Sequence, residues 1–151
     1  LVVVDPSDDF LDSLADYPTP DYLQLHKVSA PARIRAIAQR VGLPVITGIS
    51  VRNEEDLRAA DALEAVSAHV LFDAPHAGSG IAFDWSLLTG MQRAKPWFLA
   101  GGLTPETVVQ AIRSTHAPMV DVSSGIEEAS GVKSPSKIAA FNHAALHAWR
   151  V

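Results

Sequence analysis

"WFLAGGLTPETVV", residues 97–109, packs an apolar strand, a glycine pair and a helix start into one short stretch. Trp97, Phe98 and Leu99 are apolar, and two of the three are aromatic residues favoured in strands. Gly101-Gly102 follows at once, where the backbone can turn tightly and approach a ligand closely. Thr104-Pro105-Glu106 is a helix start with Pro at the first helical position, and Val108, Val109 and Ile112 carry helical spacing. The next strand reads the same way, because the run ending at Val122 is followed by Ser123-Ser124-Gly125.

Working outward, short apolar runs recur at 1–4, 22–25, 44–49, 70–72, 97–100 and 119–122. Helical periodicity fills most of the intervals. Asp5-Pro6-Ser7 opens a segment carrying Phe10, Leu11 and Leu14. Pro31 opens another with Ile34, Ile37 and Val41, which Gly42-Leu43-Pro44 stops. Asn53 suits an N-cap before Leu57, Ala60 and Leu63, and Ser134-Pro135 starts the last helix, with Ile138, Phe141 and Leu146. Six strand–helix units without a hairpin signal predict an α/β fold of parallel strands joined by crossovers.

An open doubly wound sheet and a (β/α) barrel both fit that alternation. Small and polar residues at the strand ends favour the barrel: His26, Ser50, Asp73, Gly101-Gly102 and Ser123-Ser124-Gly125. A barrel gathers such ends around one mouth and sets its phosphate site after the last two strands. The G-x-G-x-x-G fingerprint of a nucleotide-binding open sheet is missing. The expected fold is the TIM (β/α)8-barrel class, with six strand–helix units visible in one domain over 1–151. Eight strands are required, so the domain is expected to be incomplete on its N-terminal side, with the last helix as a natural C-terminus.

The chain has 151 residues, 48% hydrophobic and 19% charged, as in ordinary soluble globular domains. No apolar run is long enough for a membrane span, and a net charge of −5 with no basic stripe argues against nucleic acid. Cysteine is absent, which removes disulfides, thiolate metal sites and a Cys nucleophile, and fits a reducing cytoplasm.

Glycine loops after strands can bind phosphate through backbone N–H groups, or can simply allow tight turns. Gly78-Ser79-Gly80, Gly101-Gly102 and Ser123-Ser124-Gly125 together favour the phosphate reading. Asp73, where the apolar run of Val70, Leu71 and Phe72 stops, is placed for proton transfer, although a loop-capping Asp is the plainer alternative. Asp121, beside Val120 and Val122, reads as a structural anchor or a substrate contact. His26, at the end of its strand, is a candidate mouth residue, and His76 lies in the loop beside the glycines. His69, His116, His143 and His147 read as strand-edge or helix-surface residues, and the 143/147 pair has no acidic neighbour for zinc. Glu127-Glu128 and Asp8-Asp9 read as solvated helix-start charges.

At "LQLH" (23–26), "LFDA" (71–74), "GSGIAFDW" (78–85), "FLAGGLTPETV" (98–108), "VDVSSGIE" (120–127) and "GVKSPSKIAAF" (131–141), the chain resembles the phosphoribosylanthranilate isomerases of tryptophan biosynthesis. The resemblance implies a (β/α)8 barrel whose third to eighth strands are these six. It implies a cofactor-free Amadori rearrangement of N-(5'-phosphoribosyl)anthranilate to 1-(2-carboxyphenylamino)-1-deoxyribulose 5-phosphate. Asp73 then matches the general acid, and Gly78, Gly80, Gly101, Gly102, Ser123, Ser124 and Gly125 match the phosphate site, with His26 and Asp121 as further substrate-contact candidates.

The chain departs from the family pattern in places. The family's base is a Cys in a K-I-C-G motif on the first strand, and neither the motif nor any Cys is present. The family's second-unit Arg, which holds the anthranilate carboxylate, has no counterpart here. His26-Lys27-Val28-Ser29 and Thr47-Gly48-Ile49-Ser50 replace the usual strand-end motifs, and the loop after "FDA" is cut to Pro75-His76-Ala77. The expectation is a small phosphorylated sugar substrate, no cofactor, no metal, no nucleic acid or membrane partner, and self-association through open barrel edges. The 151-residue chain alone is expected to be nearly inactive, and a remodelled phosphosugar-binding barrel fragment is the alternative.

Overall fold

In the computed structural model, residues 1–74 and 84–150 are described. Strands β1 (Val2–Val4), β2 (Leu23–His26), β3 (Val45–Ser50), β4 (His69–Asp73), β5 (Phe98–Leu99) and β6 (Met119–Val120) follow one another in sequence order in a six-stranded sheet. The pairings β1–β2, β2–β3 and β5–β6 are parallel, with Val3 opposite Leu25, Gln24 opposite Ile46 and Leu99 opposite Val120. Parallel neighbours require a crossover between strands, which the alternating helical segments supply. The backbone packs as two compact units, Leu1–Ile49 with Glu55–Leu71, and Ser50–Glu54 with Phe72–Val151.

In the first unit, α1 (Asp8–Ser13) starts where Ser7 accepts a hydrogen bond from the Phe10 N–H, satisfying one of the helix's orphan donors. Helix α2 (Pro31–Val41) begins with Pro and ends at Gly42, whose φ of +68° needs no Cβ and whose N–H closes on the Ala38 carbonyl. Helix α3 (Glu54–Glu64) follows β3. Leu23, Leu25, Ile34, Ile37 and Val45 are fully buried, so the α2 face read from the spacing is a core face, whereas Phe10 on α1 and Leu146 near the chain's end, read as apolar-face residues, are exposed. On β2 the side chains alternate, with Leu23 and Leu25 buried and Gln24 and His26 only half-buried. On β1, Val3 is buried while Val2 and Val4 are exposed.

The second unit carries β5, β6, α4 (Val108–Thr115) and α5 (Pro135–Ala148), with α4 packed on α5. Phe72, at the end of β4, is fully buried, meets Trp97 edge to face at 5.4 Å, and lies under the Arg93 guanidinium at 5.3 Å.

Several expectations shift. Among the described residues no α-helix lies between β4 and β5; a 3-10 turn, Trp85–Leu88, capped by Asp84, stands there. Helix α4 starts at Val108, because Thr104 and Thr107 first form their own hydrogen-bonded turn: the Thr104 hydroxyl accepts from the Glu106 N–H, and Thr107 Oγ1 accepts from the Thr104 N–H. Strand β6 ends at Val120, one residue before Asp121. An antiparallel hairpin, β7 (Glu127–Ala129) with β8 (Val132–Lys133), also forms. Its signal was Ser130-Gly131: Gly131 has a φ of +77°, the left-handed conformation a tight turn needs. Glu127 and Glu128 are therefore strand residues and not helix-start charges.

Candidate active site

The last βα units show how glycine decides a site's geometry. Gly101 follows β5 with a φ of +84°, and Gly102 repeats the left-handed conformation at +68°. A Cβ on Gly101 would overlap the Ala74 N–H and come within 2.7 Å of Ala74 Cβ and 2.9 Å of Asp73 Oδ1. Glycine is therefore required twice here, once for the backbone angle and once because the loop lies against the Asp73 carboxylate. The Ala100 N–H donates to the Phe72 carbonyl, so the ladder that holds this approach runs to the residue before Asp73.

Asp73 itself is half-buried at the end of β4. Its Oδ1 accepts the N–H of Ala74 at 2.8 Å, and its main-chain carbonyl accepts the N–H of Val51 at 3.0 Å. A carboxylate tied to the next backbone N–H is fixed in orientation as well as in position.

The loop after β6 interlocks with the loop after β5. A Cβ on Gly125 would collide with the Leu103 carbonyl oxygen, so bare backbone of the second loop packs on the first. The Ile126 N–H bonds back to the Ser123 carbonyl, forming a 3-10 turn over Ser124–Ile126. The N–H groups of Ser124 and Gly125 precede that first bond and have no acceptor within the turn. Asp121 extends the ladder, its N–H donating to the Leu99 carbonyl at 2.8 Å. Glu127 accepts hydrogen bonds from Lys133 at 2.7 Å and from the Gly131 N–H at 3.1 Å, and these hold its carboxyl below the usual Glu range.

Of the sequence candidates, Asp73, Gly101, Gly102, Asp121, Ser123, Ser124 and Gly125 fall within the second unit. The Gly78 and Gly80 candidates, with His76, lie outside the described residues. His26 belongs to the first unit, where its ring crosses Gly48; a Cβ there would lie 2.7 Å from the ring. Gln24 Nε2 meets His26 Nε2 at 3.0 Å, which holds the ring by one edge. Three residues escaped the sequence reading: Gln24 and Gly48, which set the His26 ring, and Lys133, which donates to the Ser123 carbonyl at 2.8 Å. An i, i+2 polar pair on a half-buried strand was the available signal for Gln24; the other two contacts have none in local spacing. No group of three His, Cys, Asp or Glu among the described residues could hold a metal ion. Nor is any helix among them long and apolar enough to cross a membrane.

Sequential parallel strands, an acid at one strand end and glycine loops after the last two define a (β/α)-barrel protein with its candidate site at the C-terminal strand ends. The family model for N-(5'-phosphoribosyl)anthranilate (PRA) isomerase matches residues 1–144, and the chain belongs to that family, whose members are isomerases of tryptophan biosynthesis. It is 46% identical to the N-(5'-phosphoribosyl)anthranilate isomerase of Paracoccus denitrificans (strain Pd 1222), over 91% of this chain and 67% of that protein. The Caulobacter sp. (strain K31) enzyme is 43% identical, with 93% of this chain and 69% of that protein covered. The crystal structure of the Thermotoga maritima phosphoribosyl anthranilate isomerase superposes with a TM-score of 0.84 at 33% identity, covering 97% of this chain and 71% of that one. A crystal structure of a phosphoribosyl anthranilate isomerase in complex with reduced 1-(o-carboxyphenylamino)-1-deoxyribulose 5-phosphate gives a TM-score of 0.79 at 32% identity, covering 97% of this chain and 70% of that one.

Proposed function

We propose that this chain carries the acid and the phosphate cradle of the isomerisation of N-(5'-phosphoribosyl)anthranilate, with Asp73 as the general acid. The observation that carries the reading is the approach of the Gly101 loop to the Asp73 carboxylate, 2.9 Å from where a Cβ would stand. The Ala74 N–H bond to Oδ1 holds the carboxyl in place for the transfer of its proton. That proton goes to the ribose ring oxygen as the C1–O bond breaks, and the anilino nitrogen lone pair completes a Schiff base. A base then removes the C2 proton, the electron pair moves to form an enolamine, and tautomerisation gives the 1-amino-1-deoxyketose.

The 5'-phosphate lies on the backbone of Gly101, Gly102, Ser123, Ser124 and Gly125, with Gly78 and Gly80 assigned to it from the family resemblance alone. Backbone N–H groups suit a phosphate because they bring positive potential without a side chain that must be ordered. Asp121 is a structural anchor in this reading, its backbone continuing the β5–β6 ladder. His26 is assigned to substrate contact from the family resemblance alone, and the reaction takes place in the cytoplasm without cofactor or metal.

The base is not a cysteine of this chain, since residues 1–151 contain none. A polypeptide of these residues alone should turn over on the order of 10²–10⁴-fold more slowly than an enzyme with a positioned base. The test is turnover of the phosphoribosyl substrate by this polypeptide and by the full natural protein. Full rates for the 151-residue polypeptide would refute that expectation. Failure of the full protein to isomerise the substrate would refute the assigned reaction.

A further inference from the structure

We infer that Lys133 is a positioning residue for the phosphate site, clamping the Ser123 loop from the hairpin behind it. The inference rests on the reading of that loop as the phosphate cradle. One ammonium group makes three contacts: to the Ser123 carbonyl at 2.8 Å, to Ser123 Oγ at 3.1 Å and to Glu127 Oε1 at 2.7 Å. An ammonium has three donors, so the three contacts match its full capacity. Two of them go to the same residue, through its main chain and its side chain. That ties the Ser123 peptide and its hydroxyl to the same ammonium group.

The hairpin explains why Lys133 can do this. Glu127 pairs with Lys133 across the β7–β8 ladder, and Gly131 turns the chain between them while donating its N–H to Glu127 Oε2 at 3.1 Å. Lys137, from the first turn of α5, donates to the Glu127 carbonyl at 2.6 Å, tying the hairpin to the helix. Lys133 therefore reaches the loop from a braced base. Both faces of the Ser123–Gly125 loop are thus set by the chain itself, by the Leu103 carbonyl against Gly125 and by Lys133 against Ser123. The backbone N–H groups of Ser124 and Gly125 are held between these two fixed points.

Ion pairs at a partly exposed site contribute little to global stability. Lys133 is partly exposed, at 43%, so its contribution is to the loop's conformation more than to folding. A loop held in its binding geometry before the phosphate arrives binds with less ordering entropy lost.

The test uses the full natural protein and three variants, Lys133→Met, Lys133→Arg and Glu127→Gln. Readouts are KM and kcat for the phosphoribosyl substrate, the inhibition constant of inorganic phosphate, and Tm. Lys133→Met should raise KM and the phosphate inhibition constant together by about tenfold, with kcat nearly unchanged, as expected for lost charge-assisted bonds acting on binding alone. Lys133→Arg should recover most of that affinity, since a guanidinium can still donate to the carbonyl and hydroxyl of Ser123. Glu127→Gln keeps Lys133 but weakens its brace, and should raise both constants by less than Lys133→Met does. If Lys133→Met does not fold, the other two variants decide: native phosphate affinity in Glu127→Gln, or a loss of about tenfold or more with Arg, overturns the inference. Native affinity in a folded Lys133→Met overturns it while leaving the cradle intact. If the native protein is not inhibited by inorganic phosphate at all, the cradle reading fails, and the inference falls with it.

Discussion

Two charged clusters, one in each unit, use the same chemistry to different ends. In the first, Arg33 reaches Asp8 at 2.6 Å and Arg40 holds Asp12 through two bonds of 2.6 Å, joining α1 and α2, which already pack together. In the second, Lys133 joins Glu127 and then goes on to a backbone carbonyl and hydroxyl at Ser123. The first cluster lies on solvent-facing helices, where water competes and screening is strong, and its one backbone bond, from Arg33 to the Pro6 carbonyl at 2.9 Å, ties down the turn before α1. The second has as its backbone target a peptide of the proposed phosphate loop, so it sets the direction of that loop. An ion pair gains functional weight when the backbone that one partner also holds belongs to a binding loop.

Breaking the acid should produce the largest effect. Asp73→Asn in the full protein should lower kcat by about 10²–10⁴-fold with little change in KM, measured by steady-state kinetics. A KM effect alone would move Asp73 from chemistry to binding.

Next come the glycines. Gly101→Ala must place a side chain at a φ of +84° against Ala74 and Asp73, and the backbone term alone is about 1–2 kcal/mol. Gly125→Ala must displace the Leu103 carbonyl, an overpacking of about 1–3 kcal/mol. Chemical denaturation of each variant measures these losses. Phosphate affinity should fall in both, while Gly42→Ala, where no atom lies within 4 Å of the added Cβ, should leave phosphate affinity unchanged.

A smaller effect is expected at the first unit's strand end. Gly48→Ala pushes the His26 ring aside, because the new Cβ would sit 2.7 Å from it, and should disrupt the Gln24–His26 contact. The half-buried ring can swing out, so Tm should change little. KM should rise if His26 touches substrate, and an unchanged KM would remove His26 from the site.

The smallest effect belongs to the helix-linking cluster. Arg40 holds the Asp12 carboxyl below the ordinary Asp range, first through their hydrogen bonds and then through charge. A depressed folded pKa means the stabilisation is present above the unfolded value of about 4 and is lost as pH falls through the lower folded value. Asp12→Asn should therefore leave activity unchanged and slightly lower Tm near neutral pH. The gap from the native protein should close below about pH 4. A gap that persists in acid would mean that the pair is not its cause.

Much of the second unit was legible in the chain because its signals are local. Pro135 after Ser134, the spacing of Val108 and Ile112, and glycines directly after apolar runs each concern residues a few positions apart. The hairpin was missed because Glu127-Glu128 looked like ordinary surface charge, and its turn rests on Gly131 alone. Asp73 was legible as the residue that stops an apolar strand. Its bond to the Ala74 N–H and its closeness to Gly101 were not, because the second depends on a residue 28 positions away.

By itself, the sequence determined the alternation of strands and helices, the caps at Ser7 and Gly42, and the strand ends that bear acid and glycine. These follow from backbone sterics and from the periods of strand and helix, which act within a few residues. Only the tertiary structure decided that Gly125 rests on Leu103, that Gly48 makes room for His26, and that Lys133 holds Ser123. Each is an approach between segments separated along the chain, which strand pairing and helix packing fix to within ångströms. A glycine's or lysine's position in the sequence does not say what will stand opposite it.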